Sequence, residues 1–323
     1  LTVKSQGGPE TCIINCQGAS FNENRGFSIT GNAGYMKTIE GFTIQNGYVS
    51  TPGNDHGGAF HIADDTVTIR NCIIQNCFAR VGGAVFASNC DQVNFTQCKI
   101  IENNAMLSGV CVFTGDDLDR VRMHQCDVSH NEVQDAVTIN TNVPLTITCS
   151  TIQNNLNDSI YSETSLDMAN CLVTYNSGGI SIRGMAEFTN CTIAFNPANS
   201  GSMDAISIDD DGRAFIRNSI VWGNSSIMEL RPGNGTFYVD YSDIQGGYPG
   251  DSNLDISPIF ASAGTDSFFL SQRDAGQSND SPCINAGRRD AMDTCFDTSN
   301  GEICLDDYTT RTDGVVDTVL VDL

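Results

Sequence analysis

Residues 67–74 read Val67-Thr68-Ile69-Arg70-Asn71-Cys72-Ile73-Ile74, and residues 186–193 follow the same pattern as Ala186-Glu187-Phe188-Thr189-Asn190-Cys191-Thr192-Ile193. The cysteine position recurs along the chain at Phe42, Cys72, Cys98, Cys126, Ser150, Cys171, Cys191, Ser219 and Ser242, and Cys12 resembles an earlier member. Its successive members lie between 20 residues apart, as from Cys171 to Cys191, and 30 residues apart, as from Phe42 to Cys72. A repeat of this length is typical of a solenoid in which each repeat forms one coil.

Apolar residues alternate on both sides of the cysteine position, but their parity changes there. Val67 and Ile69 precede it, whereas Cys72 and Ile74 continue the alternation one residue out of step. Period two indicates a strand with one buried face, and a parity change indicates a corner. A third alternating run completes each repeat. The sequence therefore predicts an all-β fold, a single-stranded right-handed parallel β-helix of about 9–10 coils with three short strands per coil. A β-sandwich, the alternative, predicts hairpins and a less regular repeat.

Two columns of amide residues stand at the corners of the predicted coils. The first column precedes the cysteine position at Asn71, Gln97, Gln125, Asn170, Asn190 and Asn218. The second follows that position by five residues at Asn103, Asn131, Asn155, Asn176, Asn196 and Asn224. Stacked amides can hydrogen-bond along the axis, and asparagine tolerates the left-handed backbone of tight corners. We interpret both columns as structural.

The charge balance restricts the partners of this chain. Asp and Glu number 39 against 16 Lys and Arg, which gives a net charge of −23. Nucleic acid is not an expected partner, because phosphate binding needs a basic surface. Membrane insertion is not expected either, because no run approaches the about 20 apolar residues of a spanning helix. The chain begins at Leu1 and ends at Leu323, in strand-like sequence at both ends, which predicts a processed chain or a piece of a longer one.

Several segments resemble those of bacterial right-handed parallel β-helix proteins that are secreted or surface-exposed. They are similar to polymorphic outer-membrane protein repeats, and they include Gly41-Phe42-Thr43-Ile44-Gln45-Asn46-Gly47-Tyr48, Gly57-Gly58-Ala59-Phe60, Gly82-Gly83-Ala84-Val85, Asp255-Ile256-Ser257-Pro258-Ile259-Phe260 and Ser281-Pro282-Cys283-Ile284-Asn285-Ala286-Gly287. The resemblance covers nearly the whole chain. It implies a pectate-lyase-like fold and an extracellular or bacterial cell-surface location, and it implies no particular reaction.

The repeat fades at about Tyr248, where Pro, Gly, Asp and Ser become frequent. We therefore predict that residues 1–247 form the coils and that residues 248–323 form a C-terminal cap with an irregular extension, because the end of a β-helix must be covered. Cys295 and Cys304 flank a polar loop, and we predict a disulfide between them. The cysteines of the repeat are predicted to be packed thiols, with bridges between neighbouring coils as the alternative.

Candidate site residues are few. The weak catalytic candidates are Asp209, Asp210, Asp211 and Arg213. A glycosidase needs two carboxylates about 5–9.5 Å apart, which neighbouring aspartates could supply. The sequence Asp-Asp-Asp-Gly is, however, also a good turn sequence. Calcium is the only cofactor considered, with weak candidate ligands at Asp209, Asp211, Asp313 and Asp317. Aromatic residues follow the strands of three consecutive coils at Tyr175, Phe195 and Trp222. This pattern indicates either a carbohydrate-binding strip or packing beneath a loop, and we favour packing.

These observations favour a non-catalytic extracellular or cell-surface module with a structural or adhesive role. Such a module could assemble end to end into a filament or surface layer, because coil ends template further coils. Its expected partners are therefore copies of itself or carbohydrate. The alternative is a carbohydrate-binding protein, or a polysaccharide lyase or glycoside hydrolase, that uses a groove of the β-helix.

Overall fold

Three parallel sheets organise the chain, and each coil contributes a strand to every one of them in turn. The structure, a computed structural model, describes residues 1–31, 35–115, 120–197, 204–224, 229–261, 268–288, 295–298, 301–305, 308–316 and 322–323. Within these ranges the strands of the three sheets pair in parallel, and the only antiparallel strand pair joins Cys295–Thr298 to Gly301–Cys304. The predicted all-β parallel β-helix with three strands per coil is confirmed.

The strands of each sheet follow one another along the helix axis. Sheet I, in spatial order, contains β1 (Thr2–Lys4), β4 (Lys37–Glu40), β8 (Thr66–Arg70), β12 (Gln92–Thr96), β16 (Arg120–His124), β19 (Leu145–Thr148), β22 (Leu166–Ala169), β25 (Met185–Thr189), β28 (Arg213–Arg217) and β31 (Thr236–Asp240). Sheet II contains β3 (Phe27–Thr30), β7 (Phe60–Ala63), β11 (Val85–Ser88), β15 (Cys111–Thr114), β18 (Glu132–Thr141), β21 (Leu156–Ser162), β24 (Ile180–Ile182), β27 (Ile206–Ile208) and β30 (Leu230–Arg231), joined by β6 (Tyr48–Val49), β10 (Phe78–Val81) and β14 (Asn104–Ser108). Sheet III contains β2 (Ile13–Asn15), β5 (Thr43–Gln45), β9 (Ile73–Gln75), β13 (Lys99–Ile101), β17 (Asp127–Ser129), β20 (Thr151–Gln153), β23 (Leu172–Thr174), β26 (Thr192–Ala194), β29 (Ile220–Trp222) and β32 (Asp243–Ile244). The remaining elements are a 3₁₀-helix at Arg273–Ala275 and the pair β33 (Cys295–Thr298) and β34 (Gly301–Cys304).

The parity change in the sequence corresponds to the corner between sheets I and III. Val67 and Ile69 of β8 point into the core, Asn71 adopts a left-handed conformation with φ 47°, and Cys72 and Ile74 point inward again. All four inward side chains are at most 1% exposed. The left-handed corner recurs at the other members of the first amide column, namely Gln97, Gln125, Asn170, Asn190 and Asn218. One apolar core therefore runs along the axis of the coils.

The cysteines at this corner are free thiols that hydrogen-bond to backbone carbonyls. The Sγ atom of Cys98 donates to Ile69 O at 3.3 Å, and that of Cys171 donates to Ile147 O at the same distance. Where serine replaces cysteine, its hydroxyl also hydrogen-bonds between coils. Ser150 Oγ accepts from the backbone amide of Cys126, on the preceding coil, at 2.9 Å. The column is thus held by hydrogen bonds between coils.

The buried thiols of the coils, at this corner and elsewhere, are expected to resist alkylation in the folded protein. Burial raises the pKa of Cys72, Cys77 and Cys111 to about 12, so their nucleophilic thiolate forms are scarce near neutral pH. Iodoacetamide at pH 8 followed by peptide mass spectrometry should label these three only after unfolding, whereas the half-buried Cys12 should react in the native state. Equal labelling of Cys12 and Cys72 without denaturant would contradict this packing.

The chain closes the C-terminal end of the β-helix immediately after its last coil. Leu254 forms a parallel bridge with Asp243 of β32, and Asn253 Oδ1 accepts from the amide of Ser242 at 3.1 Å. The ring of Tyr248 lies 6.0 Å from that of Phe237 and packs against the core. Residues 248–256 therefore cover this end.

The described residues after 256 do not continue the end cap. Some of them pack on the outer face of sheet III. Leu270, Cys283 and Leu323 form a buried cluster with the outward-facing Ile220, and Trp222 packs against it. An apolar outer face needs such a cover because its side chains would otherwise be exposed to water. The domain boundary at residue 247 stays a prediction, but the segment beyond it is more than an end cap.

Candidate functional site

A cluster of polar side chains occupies the outer face of sheet II in the C-terminal half of the β-helix. Ile160 and Ser162 of β21 are buried, so the intervening Tyr161 points outward. In register with it on the next strands are Ser181 of β24 and Ser207 of β27. Outward-facing residues of successive coils lie about 4.8 Å apart, so residues distant in sequence become neighbours here.

Arg183 is the centre of this cluster. Its guanidinium carbon lies 5.5 Å from the Tyr161 ring centroid, its NH1 lies 3.7 Å from Glu163 Oε1, and its Nε lies 3.6 Å from Asp210 Oδ2. The Tyr161 hydroxyl donates to the same Glu163 oxygen at 3.1 Å. We name Tyr161, Glu163, Arg183 and Asp210 the Arg183 cluster. It combines an aromatic ring, a cation and two carboxylates from three consecutive coils.

The surroundings of the Arg183 cluster extend the same chemistry along the sheet. The hydroxyls of Ser181 and Ser207 are 3.0 Å apart, and Arg231 Nε lies 2.5 Å from Asp204 Oδ2. The side chain of Arg183 is 49% exposed and that of Glu163 is 43% exposed, so both remain accessible to a ligand. Burial, followed by the hydrogen bond to Glu163, raises the pKa of Tyr161 and keeps its hydroxyl protonated. Ser207 is 1% exposed, so the groups that the face offers to one ligand are those of the Arg183 cluster: a hydroxyl, a guanidinium and carboxylates.

The structure separates the aspartates 209–211 from Arg213. Asp210 and Asp211 lie in the turn between β27 and β28, and Asp210 has a left-handed φ of 57°. Arg213 begins β28 and is exposed on the outer face of sheet I, whereas Asp210 pairs with Arg183 of sheet II. The ion pair of Asp210 is thus with the preceding coil and not with its near neighbour in sequence.

The structure places the described calcium candidates in two parts of the chain, the turn before β28 and the C-terminal segment. Across the described ranges, no group of three or more His, Cys, Asp or Glu residues could hold a metal ion. Asp209 and Asp211 flank the turn residue Asp210, and Asp313 pairs with Arg311 at 2.6 Å. The hydrogen bond from Arg311 lowers the pKa of Asp313 to about 2. Asp317 lies outside the described residues.

The three aromatic candidates lie on the outer side of sheet III beneath the C-terminal segment. The rings of Tyr175 and Phe195 stack at 5.8 Å, and Phe268 lies 5.7 Å from the first and 5.9 Å from the second. Phe260 also contacts Phe195, and Trp222 packs against the cluster around Leu270. Phe195 and Trp222 thus pack against the C-terminal segment, whereas Tyr175 contacts Phe268 of that segment and remains 39% exposed.

The second amide column forms a continuous hydrogen-bonded ladder. In each step one Oδ1 accepts two hydrogen bonds from the preceding member, one from its backbone amide and one from its Nδ2; the Nδ2–Oδ1 distances run from 2.8 to 3.2 Å along Asn103, Asn131, Asn155, Asn176, Asn196 and Asn224. These residues are at most 5% exposed. The left-handed residue at this corner is the one before the asparagine, as at His130 and Asn154. The ladder therefore stabilises the stacking of coils and does not face a ligand.

Glu229 terminates the ladder, a role that no pattern in the sequence indicated. Its two carboxylate oxygens accept the last pair of hydrogen bonds, from the Asn224 amide at 3.2 Å and from Asn224 Nδ2 at 2.7 Å. Glu229 is only 3% exposed, and burial raises the pKa of its carboxyl group to about 7. A buried carboxyl group thus replaces the next asparagine.

A disulfide joins Cys295 to Cys304, nine residues apart, across the pair β33–β34.

No protein-family model, curated protein or solved structure matches the chain. The similarity to polymorphic outer-membrane protein repeats is therefore a resemblance of sequence pattern alone. Among the described residues there is also no helix that is both long and apolar enough to cross a membrane.

Tyr161 and Glu163 of the Arg183 cluster were not among the sequence candidates. Tyr161 stands between two inward-facing residues, and the same position in the next coil is Ser181. Alignment of the third strand of each coil, and not only of the cysteine corner, would have placed them side by side. That alignment is difficult in the sequence because the segments before the third strand vary in length.

Proposed function

We propose that this chain is a non-catalytic extracellular or bacterial cell-surface adhesion module that binds carbohydrate on the outer face of sheet II. The observation that supports this most directly is the contact of Arg183 with Tyr161, Glu163 and Asp210 on an accessible sheet surface. Sugar hydroxyls both donate and accept hydrogen bonds, and this cluster presents carboxylates, a guanidinium and a hydroxyl together. The Tyr161 ring adds an apolar surface for the carbon atoms of a sugar ring.

The same contacts favour binding over catalysis. A glycosidase needs two carboxyl groups that flank the scissile bond and are free to act as the acid and as the base or nucleophile. Glu163 and Asp210 both lie beside Arg183 and are open to solvent. Ionised carboxylates are good hydrogen-bond acceptors for hydroxyl groups, which is the property that an adhesion surface needs.

An extracellular location and a pectate-lyase-like identity are parts of this proposal. The Cys295–Cys304 disulfide is of the kind that persists in oxidising compartments. The resemblance to secreted and surface-exposed β-helix proteins points in the same direction. We do not extend the proposal to end-to-end filaments, because residues 248–256 already cover the C-terminal end of the coils.

A glycan array with the purified chain tests the proposal. We expect retention of at least one glycan class, and we expect Arg183→Gln to weaken binding about 10- to 100-fold, because one charged hydrogen bond contributes about 1.5–3 kcal/mol. Tyr161→Ala should weaken it by a similar factor. Isothermal titration calorimetry with the retained glycan provides the affinities, and circular dichroism checks the fold of each variant.

Arg217→Ala is the matched control, since Arg217 lies on the outer face of sheet I beside Phe215. Its affinity for the glycan should equal that of the parent chain. Binding that Arg183→Gln and Arg217→Ala reduce equally, or no retention of any glycan, would remove the basis of the proposal.

A polysaccharide lyase or glycoside hydrolase is the second candidate, supported by the presence of two carboxylates on one guanidinium. Incubation of the chain with the retained polysaccharide, followed by analysis of reducing ends and of unsaturated products, distinguishes the two. Release of shorter oligosaccharides that is abolished in Glu163→Gln would replace adhesion by catalysis.

A further inference from the structure

A second polar cluster lies on the outer face of sheet II, in its N-terminal half. His61 of β7 and Phe86 of β11 are in register on adjacent strands, and their rings stack at 5.7 Å with an interplanar angle of 5°. His56, in the loop before β7, meets the same ring edge-on at 4.4 Å. Two of the four histidines of the chain therefore contact one phenylalanine.

Two arginines complete this cluster. Arg80 NH1 lies 3.2 Å from Asp55 Oδ2, while the other oxygen of Asp55 lies 3.1 Å from His56 Nδ1. Arg25 NH2 donates to the backbone oxygen of Asn54 at 2.8 Å and to its side-chain oxygen at 2.6 Å. We name Arg25, His56, His61 and Arg80 the His61 cluster. It gathers four basic side chains in a chain whose net charge is −23.

Two carboxylates near the His61 cluster, those of Asp55 and Glu23, are engaged with other groups. Asp55 is 7% exposed and lies between His56 and Arg80. Glu23 Oε1 accepts hydrogen bonds from the amide and hydroxyl of Ser50 at 2.8 Å each and from the Thr51 amide at 2.7 Å. Their negative charges balance the two arginines, so protonation of His61 makes the cluster positive.

His61 is a member of the cluster whose two ring nitrogens are both available for hydrogen bonding. Within the ranges that the structure describes, neither of its ring nitrogens has a hydrogen-bond partner. Burial, and then the charges of Arg25 and His56, lowers the pKa of His61 below its ordinary value of 6.5. A bound anion would offset both causes, since it would neutralise the nearby cations and accept a hydrogen bond from the imidazolium.

We propose that the His61 cluster binds the oxyanion group of a ligand, a carboxylate or a phosphate ester, and binds it more tightly in mildly acidic solution. The sign follows from linkage, because an anion that prefers the protonated imidazole raises the proton affinity of that imidazole. Binding therefore takes up a proton, and affinity rises as the pH falls toward and below the histidine pKa. This inference does not depend on the proposed glycan site, which lies on later coils of the same sheet.

Calorimetric titration with sodium sulfate at pH 5.5 and pH 7.5 tests the inference, because sulfate keeps the same charge at both values. We expect binding at least tenfold tighter at pH 5.5. In ¹⁵N-imidazole NMR spectra, sulfate should shift the His61 and His56 signals and leave that of His130 in place. Acetate and methyl phosphate, used in parallel, then distinguish a carboxylate ligand from a phosphate ester.

Three variants sharpen this test. The phenylalanine of His61→Phe preserves stacking on Phe86 but cannot be protonated. The logarithm of the ratio of the sulfate affinities at pH 5.5 and pH 7.5 should therefore shrink by at least half. Arg25→Gln should weaken sulfate binding at both pH values. His130→Asn is the control, because the exposed His130 lies at a corner with φ 56° that asparagine tolerates. Equal affinity at pH 5.5 in the parent chain and His61→Phe, or equal shifts at His61 and His130, would overturn the proposal.

Discussion

Asn155→Ala is expected to lower the free energy of unfolding by about 4 kcal/mol, because several buried groups lose their partners and each costs about 1–3 kcal/mol. The Oδ1 atom of Asn155 accepts from the amide and Nδ2 of Asn131 at 3.0 Å each. Its Nδ2 donates to Val128 O at 3.0 Å and to Asn176 Oδ1 at 2.8 Å. Alanine removes all four bonds from a residue that is 0% exposed.

Guanidinium denaturation followed by circular dichroism measures this loss. The control is Asn22→Ala, which removes an exposed amide from the first coil and is expected to change the free energy of unfolding by less than about 0.5 kcal/mol. A loss of less than about 1 kcal/mol for Asn155→Ala would mean that the ladder contributes little to the stacking of coils.

The second large effect is a loss of stability with rising pH at Glu229. Burial raises the pKa of this carboxyl group from 4.5 to about 7, and the hydrogen bonds from Asn224 oppose the shift without cancelling it. The folded state therefore holds the proton more tightly than the unfolded state does. Its stabilising contribution is complete below pH 4.5 and declines as the pH rises to about 7, by about 3 kcal/mol in total.

Comparison with Glu229→Gln isolates this contribution from the other acidic groups. Glutamine does not titrate, so the free energy of unfolding of the parent chain minus that of the variant should fall by about 3 kcal/mol between pH 4.5 and pH 7.5. Denaturant titrations at four pH values in this range provide the measurement. Glu132→Gln, which removes an exposed glutamate from β18, should show no such trend, and a constant difference for Glu229→Gln would disprove the assignment.

The sequence predicts the coils well because the core imposes a strict rule on them. Every corner between sheets I and III shifts the alternation by one residue, so Cys72 and its equivalents are visible as a repeat. The role of the second amide column was also predictable, because amides that recur once per coil can hydrogen-bond to one another along the axis. The backbone conformation of this column was not predictable, because the left-handed residue is the one before each asparagine and not the asparagine itself.

The polar clusters could not be predicted in the same way because lateral neighbours depend on register. Asp210 and Arg213 are three residues apart, yet the turn between them sends Arg213 to sheet I and leaves Asp210 beside Arg183. His56 and His61 become one cluster only because β11 stacks on β7 and places Phe86 between them. The loops before these strands differ in length from coil to coil, so no fixed spacing marks such pairs.

The asparagine ladder also has a consequence for how a chain of this kind can grow. Any internal coil both receives and passes on the same two hydrogen bonds, whatever the length of its loops, so duplication of a gene segment encoding one coil would preserve every junction. Glu229 receives them with its two carboxyl oxygens, but its side chain lacks the amide nitrogen that each asparagine uses to donate to the next member. Glu229 therefore ends the ladder. A longer relative would keep such an acid at its last coil alone.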